Sequence, residues 1–156
     1  MTAKKKITQE QIISFYMDDI LSEETMTQSI YAFAKRHNFE ESEFYQFFNG
    51  FDHLKEEIFA AFGHNTIRMI QQSDAYQEYG TQQKLLSFYF TFFELLTANR
   101  SYVMAQLRGN KDKLSTLKLL GALRRVFVKY VEQLSVVSVD FKSDQLNKLR
   151  DKGVAE

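Results

Sequence analysis

The sequence contains no cysteine and no proline, and only six glycines in 156 residues. Without cysteine there is no disulfide framework, no thiolate metal site and no thiol nucleophile. Without proline, the usual helix breaker, long uninterrupted helices are expected. No apolar run approaches the roughly 18 residues needed to cross a bilayer. The opening MTAKKKITQEQ has a basic cluster but no apolar stretch behind it, so it does not read as a signal peptide, and the expected place is the cytoplasm. Net charge is lacking too, with 20 basic against 20 acidic side chains.

What is present is apolar and aromatic. Hydrophobic residues make up 44% of the chain and phenylalanine alone contributes 15, enough to bury a sizeable core. The balanced charge hides a division: residues 1 to 62 carry six basic and eleven acidic side chains, so the remainder carries a matching excess of +5.

Helical periodicity runs through the chain. Thr8-x-x-Gln11 is a capping-box pattern ahead of Ile12, Ile13, Tyr16, Met17, Ile20 and Leu21, apolar at spacings of three and four. A short helix follows, expected to be capped by Thr27, with Ile30, Phe33 and Ala34 inward. It ends at His37-Asn38, asparagine being tolerant of a left-handed turn. The stretch FEESEFYQFFNG supplies Phe44, Phe47 and Phe48 and stops at Asn49-Gly50. A long helix is expected from Asp52 to about Gln72, a loop over Ser73 to Gly80, and another helix from Thr81 to about Thr97. In that last helix Phe88, Tyr89, Phe90, Phe92 and Phe93 cover most of the circumference at about 100° per residue, which predicts a central position. A short helix opening at Asn99 or Ser101 is broken at Gly109-Asn110, and Asp112 begins a long one through Leu134. VVSVDF reads as a brief extended segment and DQLNKLRDK as a last short helix. The chain reads as all-α.

Between residues 27 and 58, TQSIYAFAKRHNFEESEFYQFFNGFDHLKEEI resembles the amino-terminal helix-turn-helix of the TetR family of bacterial transcription regulators. The carrying features are a Thr opening the second helix, Ala34, Asn38 followed by Phe39, the Phe44-Tyr45-x-Phe47-Phe48 block, a short polar turn and Leu54. They span roughly residues 8 to 62. The resemblance implies a three-helix module over 1–50, packed on an α-helical ligand-binding and dimerisation bundle over 51–156. It implies a homodimer whose third helix enters the major groove of DNA, and an apolar or lipid effector inside the bundle. The chain is short for the family, so some carboxy-terminal pairing helices are expected to be lacking.

Carried onto this sequence, the resemblance puts Thr27, Tyr45, Gln46 and Lys55 near phosphates, with Lys35, Arg36, Ser42 and Glu43 on the same DNA face. It puts Phe62, Met69, Phe88, Tyr89, Phe92, Phe93, Tyr102, Met104, Phe127 and Tyr130 around the ligand. The chain departs from the family at the front of the reading helix, which carries Glu40, Glu41 and Glu43. Relatives commonly have small, hydroxyl or basic residues there, and a basic residue in the turn where Phe51 stands. Acidic charge repels the phosphate backbone, on which most non-specific affinity depends. The alternative is a TetR-fold protein that has lost DNA binding and holds a lipid or isoprenoid-like molecule as an accessory protein.

His53, Glu57 and His64 share a helix face, but Glu57 and His64 are about 10 Å apart along the axis, too far for one ion. No metal site, cofactor, catalytic pair, GxGxxG or P-loop is assigned, and no enzymatic activity is expected. Arg100 to Lys129 holds eight basic residues against Asp112 alone. That stretch reads as a solvated face or as a docking surface for an acidic partner or an anionic headgroup surface.

Overall fold

The computed structural model describes residues 6–22, 29–109 and 112–135, and these contain helices and no strand. Helix α1 spans Gln9–Leu21, α2 Ile30–Arg36, α3 Glu41–Phe47 and α4 Phe51–Gln71. After a 3-10 turn at Asp74–Glu78 come α5 (Thr81–Ala98), α6 (Arg100–Gly109) and α7 (Lys113–Leu119). Residues 121–135 are again helical and form α8. The expected VVSVDF and DQLNKLRDK elements lie outside the described residues.

Local signals set most boundaries. Thr8 caps α1 as a full capping box, its hydroxyl accepting from the Gln11 N–H and Gln11 Oε1 accepting from the Thr8 N–H. Asn38 is the non-glycine residue with positive φ, 60°, and it turns α2 back so that the Phe39 N–H reaches the Ala34 carbonyl at 3.0 Å. The α2 cap is a correction. Ser29, not Thr27, accepts from the Ala32 N–H, because α2 begins at Ile30; Thr27 lies outside the described residues. The long helix expected from Asp112 is interrupted at Leu120, where the helix relaxes before the ladder resumes with the Arg124 N–H on the Leu120 carbonyl. Asp112 caps α7, its Oδ1 accepting from the Ser115 N–H at 2.6 Å.

Two apolar clusters share α4. The larger joins Ile12 and Tyr16 of α1, Phe33 and Ala34 of α2, Phe44 of α3 and Leu54, Ile58, Phe59 and Phe62 of α4, and it reaches Tyr102 and Leu119. Phe33 and Phe44 are fully buried, and Phe44 sits 5.7 Å from the rings of both Phe48 and Phe51. The smaller joins Ile70 of α4 to Tyr76, Phe88, Tyr130 and Leu134. Each fully buried ring contributes roughly 1.5–3 kcal/mol through apolar area removed from water.

Helix α5 is the second correction. It packs along α4, but Phe88 is its one buried residue, while Phe90 is 70% and Phe93 60% exposed. Its apolar residues divide into two stripes. Phe88, Phe92 and Leu96 face the core, and Leu86, Tyr89, Phe90 and Phe93 repeat at three and four on the outer side. Aromatic coverage all round the wheel therefore marks a helix with two apolar faces, one of them largely exposed among the described residues.

Where α8 crosses α4 the contact centres on Gly63, whose missing Cβ would lie 2.9 Å from Leu123 Cδ1 and 3.2 Å from Val126 Cγ1. A long side chain there must push the helices apart. Gly63→Leu is expected to cost at least about 1–3 kcal/mol, the range for overpacked cores; an unchanged urea midpoint would show that the crossing is loose. Asp112 gives a pH test. Its hydrogen bonds to Ser115 lower its pKa from 3.8, so its stabilising effect is present above that value and is lost as pH falls through the lowered folded-state pKa. The thermal midpoint of Asp112→Ala should lag the parent at neutral pH, and the gap should narrow as pH falls below 3.8.

Candidate nucleic-acid interface and apolar cleft

The helix-turn-helix is held by an aromatic core and one buried ionic group. Asp19, on the otherwise apolar side of α1, is 6% exposed. Both its carboxylate oxygens are 3.0 Å from His37 Nε2 at the end of α2, and Arg36 approaches at 3.5 Å. The His37 ring stacks on Phe15 at 4.4 Å, so the α2–α3 turn is clamped onto α1 by an ion and a ring together. Sequence reading missed this clamp; its signal was a lone acid three residues beyond Tyr16 on a buried stripe.

Several proposed DNA contacts stand on open surface. Lys35, Ser42, Tyr45 and Gln46 are exposed, and Tyr45 leaves half its surface to solvent. Arg36 is turned back to Asp19 rather than outward alone. Glu43 is half-buried, and its Oε2 accepts from the Glu40 N–H at 3.1 Å, closing a capping box at the front of α3. Lys55 is half-buried, 4.0 Å from Asp52. Phe51, in the place where the resemblance expects a basic residue, is locked into the core against Tyr16 at 5.6 Å and Phe33 at 5.7 Å. It is not available to a phosphate.

The ligand candidates separate into two places. Phe88, Tyr89, Phe92 and Phe93 of α5 and Phe127 of α8 line one open, almost wholly apolar cleft of about 320 Å³, closed on its other side by Leu120, Leu123 and Arg124. The rings are in mutual contact, Phe88 with Phe92 at 5.6 Å and Phe127 at 5.3 Å, and Tyr89 with Phe127 at 5.9 Å. The other five candidates stand elsewhere. Phe62 and Tyr102 belong to the core beside the helix-turn-helix. Met69 is exposed on α4 and Met104 is half-buried on α6. Tyr130 lies beneath the cleft, its hydroxyl 2.7 Å from that of Tyr76 and donating to the Lys84 carbonyl at 3.4 Å; burial first, then Tyr76, raises its pKa. The missed wall residues Leu120, Leu123 and Arg124 were legible as neighbours of Phe127 at helical spacing.

Helix α6 packs against α1 and brings Tyr102 and Gln106 to Tyr16. Gln106 Nε2 donates to the Tyr16 hydroxyl at 3.4 Å, and burial pushes the Tyr16 pKa up to about 12. The Tyr102 hydroxyl is buried with no hydrogen-bond partner among the described residues. Near the other end of α4, His53 receives the Asn49 N–H on Nδ1 and lies 3.5 Å from Glu57, while His64 is exposed.

These features define a helix-turn-helix on an α-helical bundle with an apolar cleft. Residues 84–156 match the model of the tetracyclin repressor-like C-terminal domain. That match lies wholly outside the residues that carry the amino-terminal resemblance, and both stretches are similar to TetR-type regulators. No curated protein and no solved structure matches the chain.

Tyr102 offers a direct check on its place. The Tyr102 hydroxyl has no well-formed hydrogen bond and only Gln106 near enough to influence it, so Tyr102→Phe should change stability by no more than about 1 kcal/mol. A marked loss of stability in denaturant would mean that the hydroxyl has a partner. Binding of an apolar probe in the cleft should not change.

Proposed function

We propose that this protein is a dimeric TetR-like transcriptional regulator whose helix-turn-helix binds DNA under the control of an apolar effector held between α5 and α8. The observation that carries the reading is the contact of Leu123 with Gly63. Leu123 is in the wall of the cleft, and Gly63 is on α4, which begins at Phe51 in the aromatic core of the helix-turn-helix. An effector that spreads α5 from α8 moves Leu123, and the rigid α4 carries the displacement to α3. In a dimer this alters the spacing of two reading helices, a shift between two arrangements that differ in effector affinity.

On this reading Ser42, Tyr45 and Gln46 face the duplex, with Lys35 beside them. The cleft suits a ligand without polar groups along most of its length, since its walls offer rings and aliphatic carbons. A second reading, a TetR-fold carrier that no longer binds DNA, is favoured by Glu40, Glu41 and Glu43 and by the packing of Phe51 against Tyr16 and Phe33.

The deciding experiment titrates random-sequence duplex DNA at roughly 50 mM and 200 mM salt, with native mass spectrometry of the purified protein. Regulators lose affinity steeply between the two salts as counterions are released. Changing Glu40, Glu41 and Glu43 together to Gln should strengthen binding, while the Glu43 cap survives because glutamine also accepts. No binding at low salt, even after that change, together with a co-purified apolar mass, selects the carrier.

A further inference from the structure

Five of the eight basic residues in the 100–129 stretch stand exposed on the successive helices α7 and α8. On α7, Lys113, Leu114, Leu117 and Lys118 are all exposed, while Leu119 on the opposite side is buried. At about 100° per residue they fall near 0°, 100°, 40° and 140°, so two leucines lie between two lysines on the solvent side. Leu114 is 79% and Leu117 66% exposed. The pattern continues on α8, where Arg124, Arg125, Val128 and Lys129 are exposed and Tyr130 and Leu134 turn inward. From 113 to 131 there is no acidic side chain. Among the described residues none of the five cations takes part in a salt bridge.

We infer that this α7–α8 face docks on an anionic lipid surface, lysines and arginines on the headgroups and Leu114, Leu117 and Val128 at the edge of the acyl layer. Charge complementarity selects the occupant. A second copy on a two-fold axis would set five cations against five. A nucleic acid would reward the cations but leave three apolar side chains against a polyanion. A headgroup–acyl boundary satisfies both chemistries, as it does for amphipathic surface helices. No described helix is long and apolar enough to cross a membrane, so the contact is peripheral. The inference does not depend on DNA binding. Arg124 belongs both to this face and to the lining of the cleft, which brings the cleft close to the docked surface.

The test is co-sedimentation of the full chain with vesicles of phosphatidylcholine alone, or with one third phosphatidylglycerol, at low and physiological salt. The protein should pellet with the anionic vesicles, release as salt rises and ignore the neutral ones. Lys113→Gln and Lys118→Gln should each weaken association about fivefold, the equivalent of one surface cation. Leu114→Gln with Leu117→Gln should weaken it about tenfold while leaving the circular dichroism and any binding to random duplex DNA unchanged. Equal association with both vesicles, or none at low salt, overturns the inference. So does vesicle binding that ignores the leucine pair and is competed by duplex DNA, which would make the face a general polyanion surface.

Discussion

The close crossing of α4 and α8 at Gly63 is the contact on which the rest of the molecule depends. Above it, α4 contributes Leu54, Ile58, Phe59 and Phe62 to the core of the helix-turn-helix. Below it, Ile70 joins the cluster under the cleft. One helix of 21 residues, about 32 Å long, thus belongs to both cores. Because packed interiors transmit displacement rather than absorb it, neither cluster can repack without the other registering it. A Cβ at residue 63 would remove that intimacy, and with it the shortest route between cleft and reading helix.

The helix-turn-helix keeps its architecture with unusual materials. Rings form a linked chain through its interior, Tyr16, Phe33, Phe39, Phe44, Phe48 and Phe51 each contacting at least one other. Edge-to-face pairs of this kind add about 0.5–1.5 kcal/mol each beyond area burial and fix orientation as well as proximity. Asp19 completes the clamp at a desolvation cost that His37 and Arg36 offset. Two positions on the expected DNA face are drawn into this scaffold: Phe51, standing where relatives carry a basic residue, packs on Tyr16 and Phe33, and Arg36 turns in part to Asp19. The module's shape is over-determined while its outward chemistry is thin in cations.

Sequence alone revealed what depends on local geometry. The Thr8 capping box, the left-handed Asn38 and the Asp112 start are decided within four residues, and each stands where periodicity and capping chemistry put it. Ser29 displaced Thr27 because both residues cap well and only tertiary packing of Ile30 and Phe33 decides between them. Partner choice was not legible. Phe88 and Tyr102 are both large rings on apolar helix faces, but one lines a cleft and the other fills a core, and no periodicity distinguishes the two. The misplacement of α5 has the same root: a wheel covered with rings states that two faces want apolar company, not that this chain supplies both.

Charge is arranged along the molecule in the opposite sense to that of an ordinary DNA-binding regulator. The acidic excess lies on the module that carries α3, the basic excess on the half that carries the cleft. At physiological ionic strength charges interact over about 8 Å, far less than the length of α4, so the two ends present independent fields to their surroundings. An acidic α3 does not weaken a basic α7–α8 face, and a surface that draws the distal end to anionic headgroups leaves the reading end turned away from them. The physical link between the ends is then the packed core, in which Leu123 and Gly63 on α4 act together with the α1–α6 contact of Tyr16 with Tyr102 and Gln106. On the proposed reading, ligand entry at one end and recognition at the other are coupled by contact, not by electrostatics, and salt should tune each end without disturbing the coupling.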